Sequence, residues 1–266
     1  MILLPLTACM SLDGLVIPGD PRETYDWSDL NLDPARIEEV SFTAADGAEL
    51  HGAWFRQLEP APPLLWFHGN GGAMDRYVDR IQTLVDWGLH DVFAFDYRGF
   101  GRSPGPATRD GVLEEDGLAA VRYVADATGL DPTDLPWVTL SLGGAVAIHT
   151  VDEIGARAVV LESVLSGVDP LVDEAAGLDL PTGWFFRDDW DNVAEIRHAT
   201  APLFLIHGQQ DDFIAPSAAV RLYNAAPDPK HIWRPVDVGH ADILEVRPDE
   251  YRARVLAFLA DPERGP

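Results

Sequence analysis

Pro136-Trp137-Val138-Thr139-Leu140-Ser141-Leu142-Gly143-Gly144-Ala145-Val146-Ala147-Ile148-His149 is the stretch whose reading decides the fold. Trp137 to Leu140 reads as the end of a buried strand, and the Ala/Val/Ile run after Gly143-Gly144 as the start of a buried helix. Ser141 lies at the junction, where a sharp strand-to-helix turn pushes its hydroxyl out of the sheet. Strand and helix backbones nearly touch at such a turn, so small neighbours are required; Gly143 meets the requirement, whereas Thr139 stands where a glycine is usual and crowds the turn.

Outward from this junction the chain alternates. Strand-like segments at 40–43 and 49–55 flank Ala45-Asp46-Gly47, an Asp-Gly hairpin signal. Leu64-Leu65-Trp66-Phe67 is a continuous apolar run of the kind that parallel sheets bury on both faces. A helix is predicted over 74–87, a strand over 91–97, a Gly/Pro-rich loop over 99–106 and a helix over 108–128 capped by Thr108. After the strand at 137–141 and the helix at 143–154 come strands at 158–162, 202–207 and 232–236 and helices at 216–226 and 249–260. An opening hairpin followed by repeated strand–helix units predicts an α/β fold. It has one mostly parallel, eight-stranded sheet with helices on both faces. The reading is a leader over 1–37 and a single domain over 38–266. That domain is interrupted by a connection at 164–196 carrying Trp184, Phe185, Phe186 and Trp190. These aromatics are either packing against the sheet or a short lid over an apolar pocket near Ser141.

Composition narrows the chemistry. The 266 residues are 47% hydrophobic, enough for a sizeable core. Nineteen basic residues against 44 acidic ones leave a net charge of −25, which repels phosphate backbones and anionic lipid and excludes nucleic acid as a natural partner. Lys230 is the single lysine; an acidic, lysine-poor surface suits a high-salt habitat, and codon bias produces the same arginine excess. Cys9 is the single cysteine, so no intrachain disulfide can form, and without a Cys/His cluster a structural zinc site lacks ligands. Leu6-Thr7-Ala8-Cys9 resembles the lipobox at which bacterial lipoproteins are cleaved and acylated, making Cys9 a candidate lipid anchor. The preceding Met-Ile-Leu-Leu-Pro-Leu has no positive n-region and is short for a signal. Two locations therefore stay open: the bacterial cell envelope if Cys9 is acylated, the cytoplasm if not. No stretch approaches the roughly 20 continuous apolar residues of a spanning helix.

A serine hydroxyl is a poor nucleophile until a base removes its proton, and the base needs an orienting carboxylate. Both follow Ser141 in the chain. The apolar run Leu203 to Ile206 leads into His207-Gly208-Gln209-Gln210-Asp211-Asp212, a loop with two acids, and Val238-Gly239-His240 follows the last strand. Each lies just past the carboxyl end of a strand, the edge at which open α/β sheets assemble sites. Asp211 and Asp212 compete for the acid role, with Glu162 a further alternative at the end of the sixth strand. Asp237 and Asp242 lie too close to His240 along the loop to orient its ring well. His68 and His207 read as structural, Asp96 and Arg98 as braces of the loop after the fourth strand, and His149 as a packed core residue.

With these motifs in hand the chain resembles the α/β-hydrolases, specifically small-lid bacterial serine hydrolases related to the α/β-hydrolase-domain acylglycerol lipases and depalmitoylases. The resemblance covers residues 38 to 260. It rests on His68-Gly69-Asn70-Gly71-Gly72, Asp96 to Ser103, Ser141-Leu142-Gly143-Gly144, His207-Gly208 with Asp211, and Gly239-His240. It implies that Ser141 attacks a carbonyl, that His240 is the base, that Asp211 rather than Asp212 orients it, and that the backbone N–H groups of Asn70 and Leu142 hold the oxyanion. A lipobox cysteine ahead of such a domain is also similar to exported members. The implied activity is cleavage of carboxylic esters or thioesters on a small-molecule acyl substrate, without a cofactor. The alternatives are a serine peptidase of the prolyl-peptidase type and a non-catalytic binding protein on the same fold.

Overall fold

The computed structural model describes residues 19–106, 111–167 and 190–266. Eight strands form one sheet: β1 (Ile37–Thr43), β2 (Glu49–Phe55), β3 (Pro63–Phe67), β4 (Asp91–Asp96), β5 (Pro136–Leu140), β6 (Ala158–Glu162), β7 (Leu203–Ile206) and β8 (Lys230–Trp233). Their order across the sheet is β1-β2-β4-β3-β5-β6-β7-β8, with β2 antiparallel to both neighbours and every other pairing parallel. The sheet is α/β and mostly parallel, as the alternation predicts.

Strand periodicity explains the layering. Successive side chains of a strand point to opposite faces, and here both faces are dry. Leu65, Phe67, Phe93, Phe95, Trp137, Val159 and Leu161 enter one core with α2 (Val112–Thr128), α3 (Leu142–Ile154) and α4 (Ser217–Ala225). Their neighbours Leu64, Trp66, Val92, Ala94, Val138 and Val160 enter the other, under α1 (Val78–Asp86) and α5 (Pro248–Ala260). Central strands buried on both faces need continuous apolar runs, which is why 64–67 carries no polar residue. Residues ahead of β1 join the second core: Leu30 is buried there with Trp27 and Tyr25 against it, and Asp20–Pro21 pairs with Phe100–Gly101.

Several boundaries differ from the sequence reading. The first strand reaches back to Ile37. The helix read from Met74 opens as a 3₁₀ turn, Met74–Tyr77, and becomes α-helical only at Val78, because Tyr77 has φ −112° and ψ 33°. The helix read from Thr108 is described from Val112, after Gly111 in a left-handed conformation; Thr108 itself lies outside the described residues. The last strand ends at Trp233 instead of Val236. Beyond it the chain runs against the loop that follows β7, with the Pro235 carbonyl accepting from Gln209 N–H at 2.8 Å, and Pro235 has no N–H with which to continue a ladder. Trp184, Phe185 and Phe186 lie outside the described residues, while Trp190 is half-buried with its ring 6.1 Å from that of His149, packed on α3. His149 is not sealed in the core: it is half-buried and its Nε2 pairs with Asn192 Oδ1 at 3.2 Å.

The turn from β5 into α3 is as tight as its glycines imply. A Cβ on Gly143 would collide with the Phe67 carbonyl and press on that of His68, so the start of α3 lies directly against the end of β3. Thr139 does not crowd this turn. Its hydroxyl donates to the Val160 carbonyl at 2.9 Å, binding β5 to β6, and Gly144 leaves room for it. Thr139→Gly is therefore expected to destabilise rather than relieve the fold, by about 1–3 kcal/mol from the lost buried bond and side chain; urea unfolding against wild type measures it.

Candidate active site

Ser141 follows β5 with φ 51° and ψ −113°, a left-sided conformation that a residue with a Cβ avoids and that costs on the order of 1–3 kcal/mol. Its backbone is held from both sides. The Ser141 N–H donates to the Glu162 carbonyl at 2.8 Å, and its own carbonyl accepts from Gly144 N–H at 3.0 Å. Leu142 is the first residue of α3, where a backbone N–H has no partner within the helix and the positive end of the helix dipole lies.

The loop after β3 runs against the serine: a Cβ on Gly69 would lie 3.5 Å from Ser141 Cβ. Neighbours fix its shape. Gly71 N–H donates to Tyr77 Oη at 2.7 Å, Ala73 N–H to Asp20 Oδ2 at 3.1 Å and Met74 N–H to Asp96 Oδ1 at 2.8 Å. Burial raises the Tyr77 hydroxyl pKa to about 12, so it remains a neutral phenol there. His68 is fully buried, its Nε2 3.2 Å from Asp96 Oδ1 and its Nδ1 2.8 Å from the Gly69 carbonyl, so it serves the loop's shape. Arg98 braces from below: its guanidinium bonds Asp116 of α2 and, at 2.7 Å, Asp46 in the β1–β2 turn.

Past β7, Asp211 is 5% exposed and saturated with donors. Oδ1 accepts the N–H groups of Phe213 at 3.0 Å and Ile214 at 2.8 Å. Oδ2 lies 2.9 Å from His240 Nδ1 and 3.2 Å from His207 Nε2. Because His207 Nε2 also faces the Ile214 carbonyl at 2.9 Å, and both facing groups are acceptors, that nitrogen carries the proton. Burial alone raises the Asp211 pKa, but the bonds from His207, His240 and Ile214 N–H outweigh it and hold the carboxyl well below the ordinary carboxylate range. His240 is partly exposed, and the Phe213 ring, itself 61% exposed, lies 5.0 Å from its imidazole. Gly208 is required beside it, since a Cβ there would strike the Val238 carbonyl.

The competing acids are occupied elsewhere. Asp212 is exposed. Asp237 pairs with Arg247 at 2.9 Å, and Asp242 accepts the Gly239 N–H at 2.8 Å. Glu162 is buried against Arg80 at 2.6 Å. Sequence reasoning missed two residues in this arrangement. His207 reads as structural yet touches the same carboxylate oxygen as His240, and its position four residues before Asp211 was the available signal. Arg80 carried none, being one arginine of eighteen on a helical pattern.

Among known proteins, the family model described as serine aminopeptidase, S33, matches residues 59–187. The uncharacterized protein YfhR of Escherichia coli K12 is 30% identical over 239 residues, covering 85% of this chain and 82% of the relative. The lysophosphatidylserine lipase ABHD12 of Xenopus tropicalis is 27% identical over 261 residues, covering 86% of this chain and 65% of that protein. Among solved structures, the Pyrococcus furiosus esterase Pf2001 superposes with a TM-score of 0.73 at 24% identity, over 91% of this chain and 96% of that one, a likeness of fold. Sheet order, the turn at Ser141 and these relatives agree: the chain belongs to the α/β-hydrolase superfamily.

Proposed function

We propose that this protein is a serine hydrolase that cleaves carboxylic esters through an acyl-enzyme. The observation that carries the reading is the 2.9 Å contact between His240 Nδ1 and the buried Asp211 carboxylate, at the same sheet edge as the strained Ser141. With Nδ1 engaged by Asp211, Nε2 is the nitrogen that accepts the Ser141 proton as Oγ bonds the substrate carbonyl carbon. The carbon–oxygen bond to the alcohol then breaks, His240 Nε2 returns the proton to the departing oxygen, and water attacks the acyl-enzyme by the same route. The oxyanion is held by the N–H groups of Leu142, at the start of α3, and of Asn70, in the loop beside Ser141. Asp211 has to stay ionised while His240 gains and loses its proton, and the donors converging on it serve that requirement. A thioester would be cleaved by the same steps.

Phe213 supplies an apolar surface at the mouth of the site, which suits an acyl or alkyl portion of the substrate. A lipase among the relatives accords with such a substrate. The peptidase alternative draws on the description of the matched family. The two readings separate on p-nitrophenyl esters against amino-acid p-nitroanilides, and ester turnover is expected to dominate.

Wild-type protein is expected to react with a fluorophosphonate probe, and Ser141→Ala to lose labelling altogether. Ester turnover should fall by at least about 10³-fold in Ser141→Ala and His240→Ala and by about 10³–10⁴-fold in Asp211→Asn. A folded wild type that neither labels nor cleaves any ester across a range of salt concentrations would leave a binding role on a hydrolase fold. Phe213→Ala is expected to raise KM several-fold for long acyl esters and little for acetate, read from a chain-length series.

Asp211 also sets a pH dependence. Its folded pKa is depressed, so its charged form adds stability that is fully present above the ordinary aspartate value of about 4 and is lost as pH falls toward the folded pKa. The stability gap between wild type and Asp211→Asn, measured by urea unfolding, should shrink as pH falls below about 4.

A further inference from the structure

We infer that Arg80 is a positioning residue for the acid–base histidine, acting with Glu162 to fix the turn that presents His240; the inference rests on the function proposed above. One terminal nitrogen of Arg80 donates to Glu162 Oε2 at 2.6 Å and the other to the Ala241 carbonyl at 2.6 Å. Arg80 is 8% exposed and Glu162 2%. Ala241 follows His240 directly and has φ 62°, a left-handed conformation that a residue with a side chain adopts only when its surroundings hold it there.

The path of these contacts is what gives the pair its meaning. Glu162 ends β6, beside Ser141 at the end of β5, and its backbone carbonyl accepts the Ser141 N–H at 2.8 Å. The same residue's side chain holds Arg80, and Arg80 holds the backbone next to His240. One buried acid therefore references both the nucleophile's turn and the base's turn. Arg80 comes from α1, on the opposite side of the sheet from α3, and α1 otherwise sends Ile81, Leu84 and Val85 into the core. Tyr251 of α5 closes the other side of the pair, its phenol pushed far above its ordinary pKa by burial and by the Glu162 charge. Burial disfavours the Arg80 charge, but Glu162 more than compensates, so the guanidinium stays protonated.

Stability alone does not call for this arrangement. Two charges withdrawn from water repay their desolvation poorly, and an apolar pair of the same volume generally serves the fold as well or better. A planar cation does what an apolar pair cannot: it donates in two fixed directions, one to the acid and one to a carbonyl. The rest of the loop is pinned on either side of Ala241. The Val238 carbonyl accepts Gln210 N–H at 2.9 Å and Gly239 N–H donates to Asp242, which leaves Arg80 to set the peptide that follows Ala241, the neighbour of His240. Asp211 fixes where Nδ1 points; Arg80 fixes the backbone from which the ring projects. A displacement of about 1 Å at such a site can cost on the order of a hundredfold in rate.

The test compares Arg80→Met, Glu162→Gln and the double variant Arg80→Met/Glu162→Gln, with wild type and Ser141→Ala as references. Thermal midpoint, fluorophosphonate labelling rate, and kcat and KM on p-nitrophenyl acetate are read for each. Arg80→Met strands the Glu162 carboxylate and is expected to lower the midpoint sharply. The double variant removes that stranded charge and should recover most of the midpoint. Its kcat and labelling rate should nonetheless stay about 10- to 100-fold below wild type with KM within about twofold, because the bond to Ala241 is still missing. Glu162→Gln, which leaves Arg80 able to reach Ala241, should lose less than the double variant. Recovery of kcat together with the midpoint in the double variant would show a purely structural pair and overturn the positioning role alone. A wild type that fails to label overturns both this role and the proposed function.

Discussion

The backbone of Ser141 is the constraint on which the rest of the site depends. A residue with a Cβ rests at φ 51° and ψ −113° only if its surroundings offer more than the strain removes. They do so through contacts that also define the fold. The Glu162 carbonyl takes the Ser141 N–H, the first turn of α3 takes its carbonyl, and Gly143 lets α3 press against the end of β3. Only the bond to Gly144 is local to the serine; the others reach across the sheet. They bring together β3, β5, β6 and α3, so the turn is only as secure as the centre of the sheet. The central strands meet that demand with large apolar side chains packed on both faces, Trp66 and Trp137 among them.

Charge is arranged on the opposite principle to the net balance of −25. On a surface so acidic, additional carboxylates gain little from one another, and exposed ion pairs such as Asp237–Arg247 contribute little to stability. The buried carboxylates are different, because each is answered. Asp116 meets Arg98, which also reaches the exposed Asp46, Asp75 meets Arg22 at 2.8 Å, Glu162 meets Arg80, and Asp211 meets two imidazoles and two amides. Arginine is used at each of these sites but Asp211, in a chain with a single lysine, and its rigid fork allows one side chain to serve two acceptors. The scarce cations are thus placed where they join elements: Arg98 links the hairpin turn to α2, Arg22 the segment ahead of β1 to the 3₁₀ turn Met74–Tyr77, and Arg80 α1 to β6 and the histidine turn.

How far the sequence reveals this depends on whether a feature is written in local pattern. Buried strands, the Asp-Gly hairpin and the serine turn are local, and each is readable from a few residues. So is the chain order of Ser141, Asp211 and His240. Element ends are less legible because tertiary bonds gather there: past the strand at 230–233 the Arg234 and Pro235 carbonyls accept from Gln209, and Tyr77, just before the helix after β3, accepts the Gly71 N–H. Thr139 illustrates the same limit. Judged against a pattern it is an intruder, and only the carbonyl of Val160, 21 residues onward, shows why a hydroxyl belongs there. Among Asp211, Asp212 and Glu162, all at strand ends, the resemblance alone favours Asp211, and burial and bonding add what no local pattern carries: Asp211 is buried against His240, Asp212 exposed and Glu162 paired with Arg80.

Glu162 shows most clearly how a site is built from a sheet. It ends the strand beside the one that leads into Ser141, a place from which a carboxylate could reach toward a histidine, and the sequence offers it as an acid. In the structure that direction is filled by a guanidinium, so Glu162 reaches the histidine turn only through Arg80. Asp211, one strand further along, then stands in direct contact with the ring. The two acids occupy neighbouring strand ends and bear on one loop from two sides, one through a side-chain contact and one through the backbone. Holding a partly exposed imidazole steady requires both, since a hydrogen bond to Nδ1 leaves the ring free to pivot about that contact unless the peptide behind it is also fixed. The parallel sheet makes this economical: adjacent strand ends lie about 5 Å apart, so residues far apart in the chain are delivered to one edge already within bonding reach.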